Sequence, residues 1–223
     1  MDTLIDLIGE LLPFAMGVAV SPLPIIAVVL VLMGERSRSG GVAFLLGRVV
    51  GLAIVVGIIA LAVALIPEAG EAILSSSARL VIGLALIGLG VTKWRPKPDG
   101  VEQKLPAWMS AFETMPPART FGTAILLSVI NVKELLIMIG VGTTLGDADL
   151  SLRSELIAIA VFIAVASVFV AASVIATVVA PERMAGVLVQ IRAWLVQHQS
   201  AVIGVVLLVI GALLAGGAIQ DFD

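Results

Sequence analysis

The apolar runs of this chain constrain its fold more than any other feature. A helix of about 20 residues spans the roughly 30 Å hydrocarbon core of a bilayer, and six runs reach about that length. They are Leu11 to Met33, Val42 to Ile66, Ala72 to Thr92, Phe121 to Leu145, Leu156 to Val179 and Ala201 to Ile219. The charged residues lie mainly in the stretches between them. The pattern predicts an all-α polytopic membrane protein with six transmembrane helices. Because Arg79 interrupts the third run, five spans with a re-entrant third segment are the alternative.

The composition argues against a water-soluble fold. The residues are 60% hydrophobic and 13% charged, and the mean hydropathy of +1.18 lies far above that of soluble domains. The start of the chain carries Asp2, Asp6 and Glu10 but no basic residue. A cleaved signal peptide needs a positive start, so we expect the first apolar run to stay in the mature protein.

Neither an enzyme nor a metal site is expected. The sequence has no cysteine and one histidine, which argues against disulfides, thiolate metal sites and His-rich metal sites. It contains no phosphate-binding glycine loop and no nucleophile elbow. We therefore expect no enzymatic activity, no cofactor and no nucleic-acid partner.

The basic residues predict an orientation in the membrane. With six spans, nine of them fall on one side and only Arg79 and Arg153 on the other. The nine are Arg36, Arg38, Lys93, Arg95, Lys97, Lys104, Arg119, Arg183 and Arg192. Because basic residues concentrate in cytoplasmic loops, this predicts an inner-membrane protein with both termini extracytoplasmic.

The chain divides into two related halves. The predicted units are a first three-helix repeat (1–92), a proline-containing cytoplasmic linker (93–120) and a second three-helix repeat (121–223). A shift of 107 residues matches Phe14 with Phe121 and Ser21 with Ser128. An odd number of helices in each half would orient the halves oppositely, which predicts two inverted three-helix repeats, a common plan of secondary transporters.

Two helix surfaces suggest packing partners. The segment Glu182 to Gln199 repeats apolar residues at helical spacing and carries Trp194, which predicts a helix lying in the membrane interface. An ordinary amphipathic connector is the favoured interpretation, and a substrate gate is the alternative. Glycines inside the predicted helices permit close helix packing, as at Gly83, Gly88, Gly90, Gly204, Gly211, Gly216 and Gly217. Such faces can pack within one chain or between two, so a homodimer is one open expectation.

The first predicted helix is interrupted by the sequence Ser21-Pro22-Leu23-Pro24. Each proline removes a backbone donor and clashes with the preceding turn, so we expect a break or kink here. The backbone carbonyls freed by a break must face protein or a water-filled cavity, because lipid cannot satisfy them. A purely structural kink is the alternative.

The fourth predicted helix carries Asn131, Lys133 and Glu134 near its middle. A charge at the bilayer centre costs about 3 kcal/mol even on a lenient scale. Neighbouring residues on a helix point about 100° apart, so at least one charged side chain should face the bundle interior. Arg48, inside the second helix, could pair with Glu134 or extend toward the interface. A transport pathway and a structural ion pair are both open at this stage.

With Ser21-Pro22-Leu23-Pro24-Ile25, Asn131-Val132-Lys133-Glu134-Leu135-Leu136 and six apolar runs split by a basic loop, the chain resembles the lysine exporter superfamily. It is most similar to the glycopeptidolipid-addressing (GAP/Sap) proteins of mycobacteria and their actinobacterial relatives. The family's second motif reads Asn-Pro-Lys, and Val132 stands where the proline belongs. Asn131 and Lys133 match.

The resemblance implies export of a peptidoglycolipid or related envelope glycolipid across the cytoplasmic membrane. The expected partners are membrane lipids and a lipid-linked or small anionic or zwitterionic substrate. Export of amino acids or other small solutes is the alternative function, and a non-transporting membrane scaffold is the third. The residues expected to serve transport are Lys133, Glu134, Asn131, Ser21, Pro22, Pro24 and Arg48.

Overall fold

The computed structural model describes residues 4–65, 76–93, 111–148 and 150–220. Its helices are α1 (Leu4–Ala19), α2 (Pro22–Met33), α3 (Ser37–Leu65), α4 (Ser76–Lys93), a short 3-10 helix (Ala111–Glu113), α5 (Pro117–Ile130), α6 (Val132–Asp147), α7 (Leu152–Ala166), α8 (Val168–Val179) and α9 (Pro181–Gln220). No strand occurs in these ranges, and the prediction of an all-α chain is confirmed for them.

Three of the predicted spans consist of two helices joined at a sharp bend. The axes turn by 54° between α1 and α2, by 70° between α5 and α6, and by 59° between α7 and α8. The first bend confirms the expected break at the proline motif. The second lies at Asn131, and the third lies at Ser167, where no break was predicted.

Helix length supports a membrane protein without fixing the number of spans. Within the described ranges, only Ser37–Ala62 of α3 is long and apolar enough to cross a membrane alone, and the count rises to four if each bent pair is one span. The third and sixth predicted spans contain the shorter apolar stretches Leu80–Thr92 and Leu207–Ile219. Six spans therefore stay a prediction, and residues 66–75 and most of the linker (94–110) lie outside the described part.

The bends follow from local backbone chemistry. Pro22 and Pro24 fall in the first turn of α2, where helical N–H groups have no intrahelical acceptor and proline is tolerated. The prolines therefore begin a new helix instead of distorting an old one. Asn131 ends α5 and precedes α6 with ψ of 93°. Val132 does not prevent this break, although the Asn131 side chain makes no capping bond to α6.

Two hydrophobic clusters form the interior. The first cluster takes residues from α1, α6, α7, the second half of α3 and the apolar ends of α4 and α9. The second takes residues from α2, α5, α8, the first half of α3 and the start of α9. Each bent pair contributes one helix to each cluster, so all three bends lie between them.

The buried and half-buried polar residues near those bends form what we call the middle layer. Its members are Ser21, Arg48, Ser128, Asn131, Glu134 and Ser167. On α3, Arg48 follows Phe44 of the second cluster by one turn and precedes Leu52 of the first cluster by one turn. The middle layer is thus the zone where the bundle interior changes from apolar to polar.

The predicted interfacial helix is part of a longer helix in the structure, and its place in the membrane interface stays a prediction. Glu182 to Gln199 is the first half of α9, one continuous helix of 40 residues. Its apolar stripe lies against the second cluster, where Leu188 is buried and Met184 and Ile191 pack beside it. The stripe is therefore covered by protein, while Trp194 remains 53% exposed.

Glycines bring α4 and α9 into close contact within the chain. A Cβ added to Gly83 would lie 2.8 Å from the Gly211 carbonyl oxygen, and one added to Gly211 would lie 2.6 Å from the Gly83 carbonyl oxygen. Added Cβ atoms at Gly88, Gly216 and Gly217 would meet nothing within 4 Å. Part of the glycine pattern therefore serves packing within the chain, and the homodimer stays a prediction for the remainder.

Candidate functional site

A buried ion pair between Arg48 of α3 and Glu134 of α6 forms the centre of the middle layer. Arg48 Nη1 lies 2.6 Å from Glu134 Oε2, and Nη2 lies 3.0 Å from Oε1. The exposed fractions of the two side chains are 1% and 0%. Such two-point pairing fixes the orientation of both groups and is stronger than a single neutral hydrogen bond. Of the two alternatives open for Arg48 from sequence, the structure shows the ion pair.

Ser128 of α5 supports the arginine from a third side. Arg48 Nη1 donates to Ser128 Oγ at 3.1 Å. The Ser128 hydroxyl in turn donates to the Ala124 carbonyl one turn earlier, also at 3.1 Å. Because its proton is used there, the serine oxygen is free to accept from the guanidinium. Ser128 therefore ties α3 to α5 next to the bend.

Close helix packing makes this contact possible. A Cβ added to Gly51 would lie 2.9 Å from Ser128 Oγ, and one added to Gly47 would collide with the Phe121 carbonyl oxygen. These two glycines are four residues apart on α3 and face α5. The absence of side chains at both positions lets α3 approach α5 closely enough for Arg48 to reach Ser128.

The first and second bends are joined directly by a hydrogen bond. Asn131 Nδ2 donates to Ser21 Oγ at 3.3 Å. Ser21 precedes α2 but makes no side-chain bond to that helix. A serine in this position normally accepts from the second or third helical N–H, and the third residue here is Pro24, which has none. The serine oxygen is therefore available to Asn131.

Glu134 is placed where a buried carboxylate is best tolerated. It lies in the first turn of α6, at the positive end of the helix dipole, and it also faces Arg48. An ion pair taken out of water gains stability only when its geometry is good and its donors and acceptors are satisfied. The middle layer therefore holds two opposite charges together at the meeting point of broken helices.

The match to a family model decides the relationship of the chain. Residues 11–220 match the model described as Sap, sulfolipid-1-addressing protein. The chain belongs to this Sap family. The match covers the whole middle layer and confirms the narrower resemblance stated from the two motifs. No curated protein and no solved structure gives a significant match to this Sap-family chain.

The structure brings together most, but not all, of the residues singled out in the Sap-family sequence. Ser21, Asn131, Arg48 and Glu134 lie in one layer, with Pro22 and Pro24 in the adjoining first turn of α2. Lys133 is the second residue of α6, and its side chain lies outside the described part. Their roles in transport stay predictions.

Two middle-layer residues were missed as site candidates. Ser128 was noted from the sequence only as the residue that matches Ser21 in the second half of the chain, although it lies three residues before Asn131 in an apolar run. Ser167 is one of two serines in the fifth apolar run, with neither proline nor charge beside it. A search for hydroxyl residues inside apolar runs would have found both, together with others that only bond their own helix.

A separate cavity lies at the other end of the second cluster. Its volume is about 260 Å³, it is partly open to the outside, and it is lined by the ends of α2 and α8 and the starts of α3 and α9. The lining is mainly apolar, with Leu32 and Leu188 among the walls and Thr177 as a buried polar member. The cavity is distinct from the ion pair of this Sap-family chain and is suited to apolar groups.

Proposed function

We propose that this Sap-family chain is a transporter or transport factor that moves a lipid-linked envelope component, such as a peptidoglycolipid or glycolipid, across the cytoplasmic membrane. The observation that carries the proposal is the meeting of two helix breaks beside a buried ion pair. Ser21 and Asn131 bond to each other across the breaks, and the Arg48–Glu134 pair lies next to them. Broken helices and intramembrane charge are costly, and a scaffold has no need of them.

The directions of the helices support two inverted repeats. The α1–α2 pair runs from the first cluster to the second, whereas α5–α6 runs from the second to the first. In the same way, α3 runs from the second cluster to the first, and α7–α8 runs the opposite way. Opposed broken helices that meet at the middle of a bundle are the arrangement around which alternating-access transporters move.

The ends of the helices support the proposed orientation. Arg36 and Arg38, Arg119 and Arg183 belong to the helix ends on the side of the second cluster. Arg153 belongs to the opposite side, at the start of α7. We therefore propose that the second cluster faces the cytoplasm and that both termini are extracytoplasmic.

The lipid class of the cargo rests on the family and on the cavity. The name of the family refers to the addressing of a sulfolipid. The cavity of about 260 Å³ near the basic helix ends offers apolar walls that suit part of an acyl chain. The broader relation to the lysine exporter superfamily is part of the proposal, and export of small solutes is the competing function.

A comparison of cells with and without the gene tests the proposal. Loss of the chain should lower the amount of one envelope glycolipid at the cell surface and raise its amount inside. The control strain carries the gene restored on a plasmid. Unchanged surface lipids together with a small solute retained inside the cell would overturn lipid export in favour of the competing function.

A further inference from the structure

Arg48 has hydrogen-bonding capacity that the protein does not use. Its guanidinium carries five N–H donors, of which three are used: two from Nη1 and one from Nη2. Nε is buried and has no acceptor within reach. The remaining N–H of Nη2 lies beside Nε–H on the same edge of the planar group. Two parallel donors on one edge match two oxygens of a carboxylate, phosphate or sulfate.

Ser167 is the second buried group without a partner. Among the described residues, Arg48 Nε and Ser167 Oγ are the two buried side-chain nitrogen or oxygen atoms that make no hydrogen bond. Ser167 is 3% exposed and precedes α8, but its side chain does not bond that helix. A buried polar group without a partner costs stability, so such groups in native proteins call for a physical explanation.

The helix directions predict the same depth for both groups. Gly41 of α3 faces Val174 of α8, since a Cβ added to the glycine would lie 3.5 Å from Val174 Cγ2. The two helices run in opposite directions between the clusters. Arg48 lies two helical turns after Gly41 on α3, and Ser167 lies two helical turns before Val174 at the start of α8. By helix periodicity, each residue is on the side of its helix that faces the other helix. Helix periodicity therefore predicts that the unused donors lie between the same pair of helices.

The beginning of α8 differs from that of α6 in a way that favours an anion. The first turn of α6 contains the carboxylate of Glu134. The first turn of α8 contains no acidic residue, so its unbonded N–H groups and positive dipole end face no charge of their own. An anion bound there would gain from the helix end as well as from the two side chains.

We propose that the free edge of Arg48 and the hydroxyl of Ser167 together bind an oxyanion, that is, a phosphate, sulfate or carboxylate group. The proposal rests on the proposed function only in naming the charged group of the cargo as this ligand. The oxyanion binds beside Glu134 without displacing it, because it uses the neighbouring edge of the guanidinium, formed by Nε–H and the second N–H of Nη2. The bound phosphate, sulfate or carboxylate group has two available sources: a free inorganic anion and the headgroup of an anionic lipid.

Thermal unfolding of the purified full chain tests the site. In a neutral detergent, added sulfate or phosphate should raise the melting temperature more than chloride at equal ionic strength. In bilayer discs, phosphatidylglycerol should do the same relative to phosphatidylcholine alone. A response in one arm identifies the source of the anion, and a response in neither arm overturns the proposal.

The decisive variant is Ser167→Ala, which removes a hydroxyl that bonds nothing in the protein. Without added anion its melting temperature should equal or exceed that of the wild type. Its apparent anion affinity should be about tenfold weaker, since one bond to a charged acceptor is lost. The matched control is Ser173→Ala on the same helix, where the hydroxyl already donates to the Phe169 carbonyl and the anion response should be unchanged.

Arg48→Lys tests the other half of the site, because lysine keeps the charge but lacks the flat two-donor edge. It should lose the anion response. If this variant does not fold, Ser167→Ala alone decides, and an unchanged anion affinity in that variant would contradict the site. The purified chain could bind anions while cells that lack it keep normal surface lipids. That combination would support the anion site and contradict the proposed function.

Discussion

Replacing Glu134 by Met should destabilise the folded bundle strongly. The substitution removes both carboxylate oxygens that accept from Arg48 and leaves a buried guanidinium with Ser128 as its remaining partner. Removing one member of a buried ion pair costs about 3–5 kcal/mol, because the other charge stays in a medium that cannot solvate it. Against a typical unfolding free energy of about 5–15 kcal/mol, this is a large fraction.

A double-mutant cycle separates the ion pair from side-chain size. Arg48→Met should cost about as much as Glu134→Met. The double variant should cost several kcal/mol less than the sum of the two, because no unpaired charge remains. Glu182→Gln on the exposed start of α9 is the control, and its effect should stay within about 0.5 kcal/mol.

The measurement is reversible unfolding in mixed micelles, with the helical circular dichroism signal recorded as the fraction of denaturing detergent rises. The wild type, the two single variants and the double variant must first show equal helix content in neutral detergent. A double variant whose loss of stability equals the sum of the single losses would refute the reasoning, since two side chains that do not interact behave additively.

Further predictions address packing, transport and topology. Gly47→Ala should destabilise the bundle by about 1–3 kcal/mol in thermal unfolding, because the added Cβ would meet the Phe121 carbonyl oxygen. The control is Gly57→Ala, whose added Cβ would have no atom within 4 Å and which should be neutral or slightly stabilising. Lys133→Met should insert normally but lower lipid export, whereas Lys133→Arg should recover it in part if a proton is exchanged; normal export by well-expressed Lys133→Met would make that charge structural. A reporter that is active only in the cytoplasm should be silent when fused after Asp223, and strong activity would overturn the proposed orientation.

The bends illustrate what the sequence could and could not indicate. Pro22 and Pro24 act through their own covalent structure, so the first break was predictable from residue type. Asn131 was identified because charges follow it in an apolar run. Ser167 has neither signal, and the bend there depends on how α7 and α8 pack against different clusters. Tertiary packing of this kind leaves no local mark on the chain.

The start of α9 shows a second limit. Its apolar stripe was recognised correctly, but periodicity reports an apolar face without saying whether lipid or protein covers it. Leu188 is buried against the second cluster, so the cover is protein. Similarly, the two charges at Arg48 and Glu134 were both noticed from sequence, while their pairing required α3 and α6 to be placed side by side.

The most direct test of lipid export is the distribution of envelope glycolipids between the inside and the surface of the cell. It should be measured by surface-selective labelling in cells that lack the chain, cells that produce it, and cells that produce Arg48→Lys at the same membrane level. We expect one glycolipid to accumulate inside without the chain, to reach the surface with it, and to remain mostly inside with the variant. The same distribution in all three strains would contradict a role of this middle layer in lipid export.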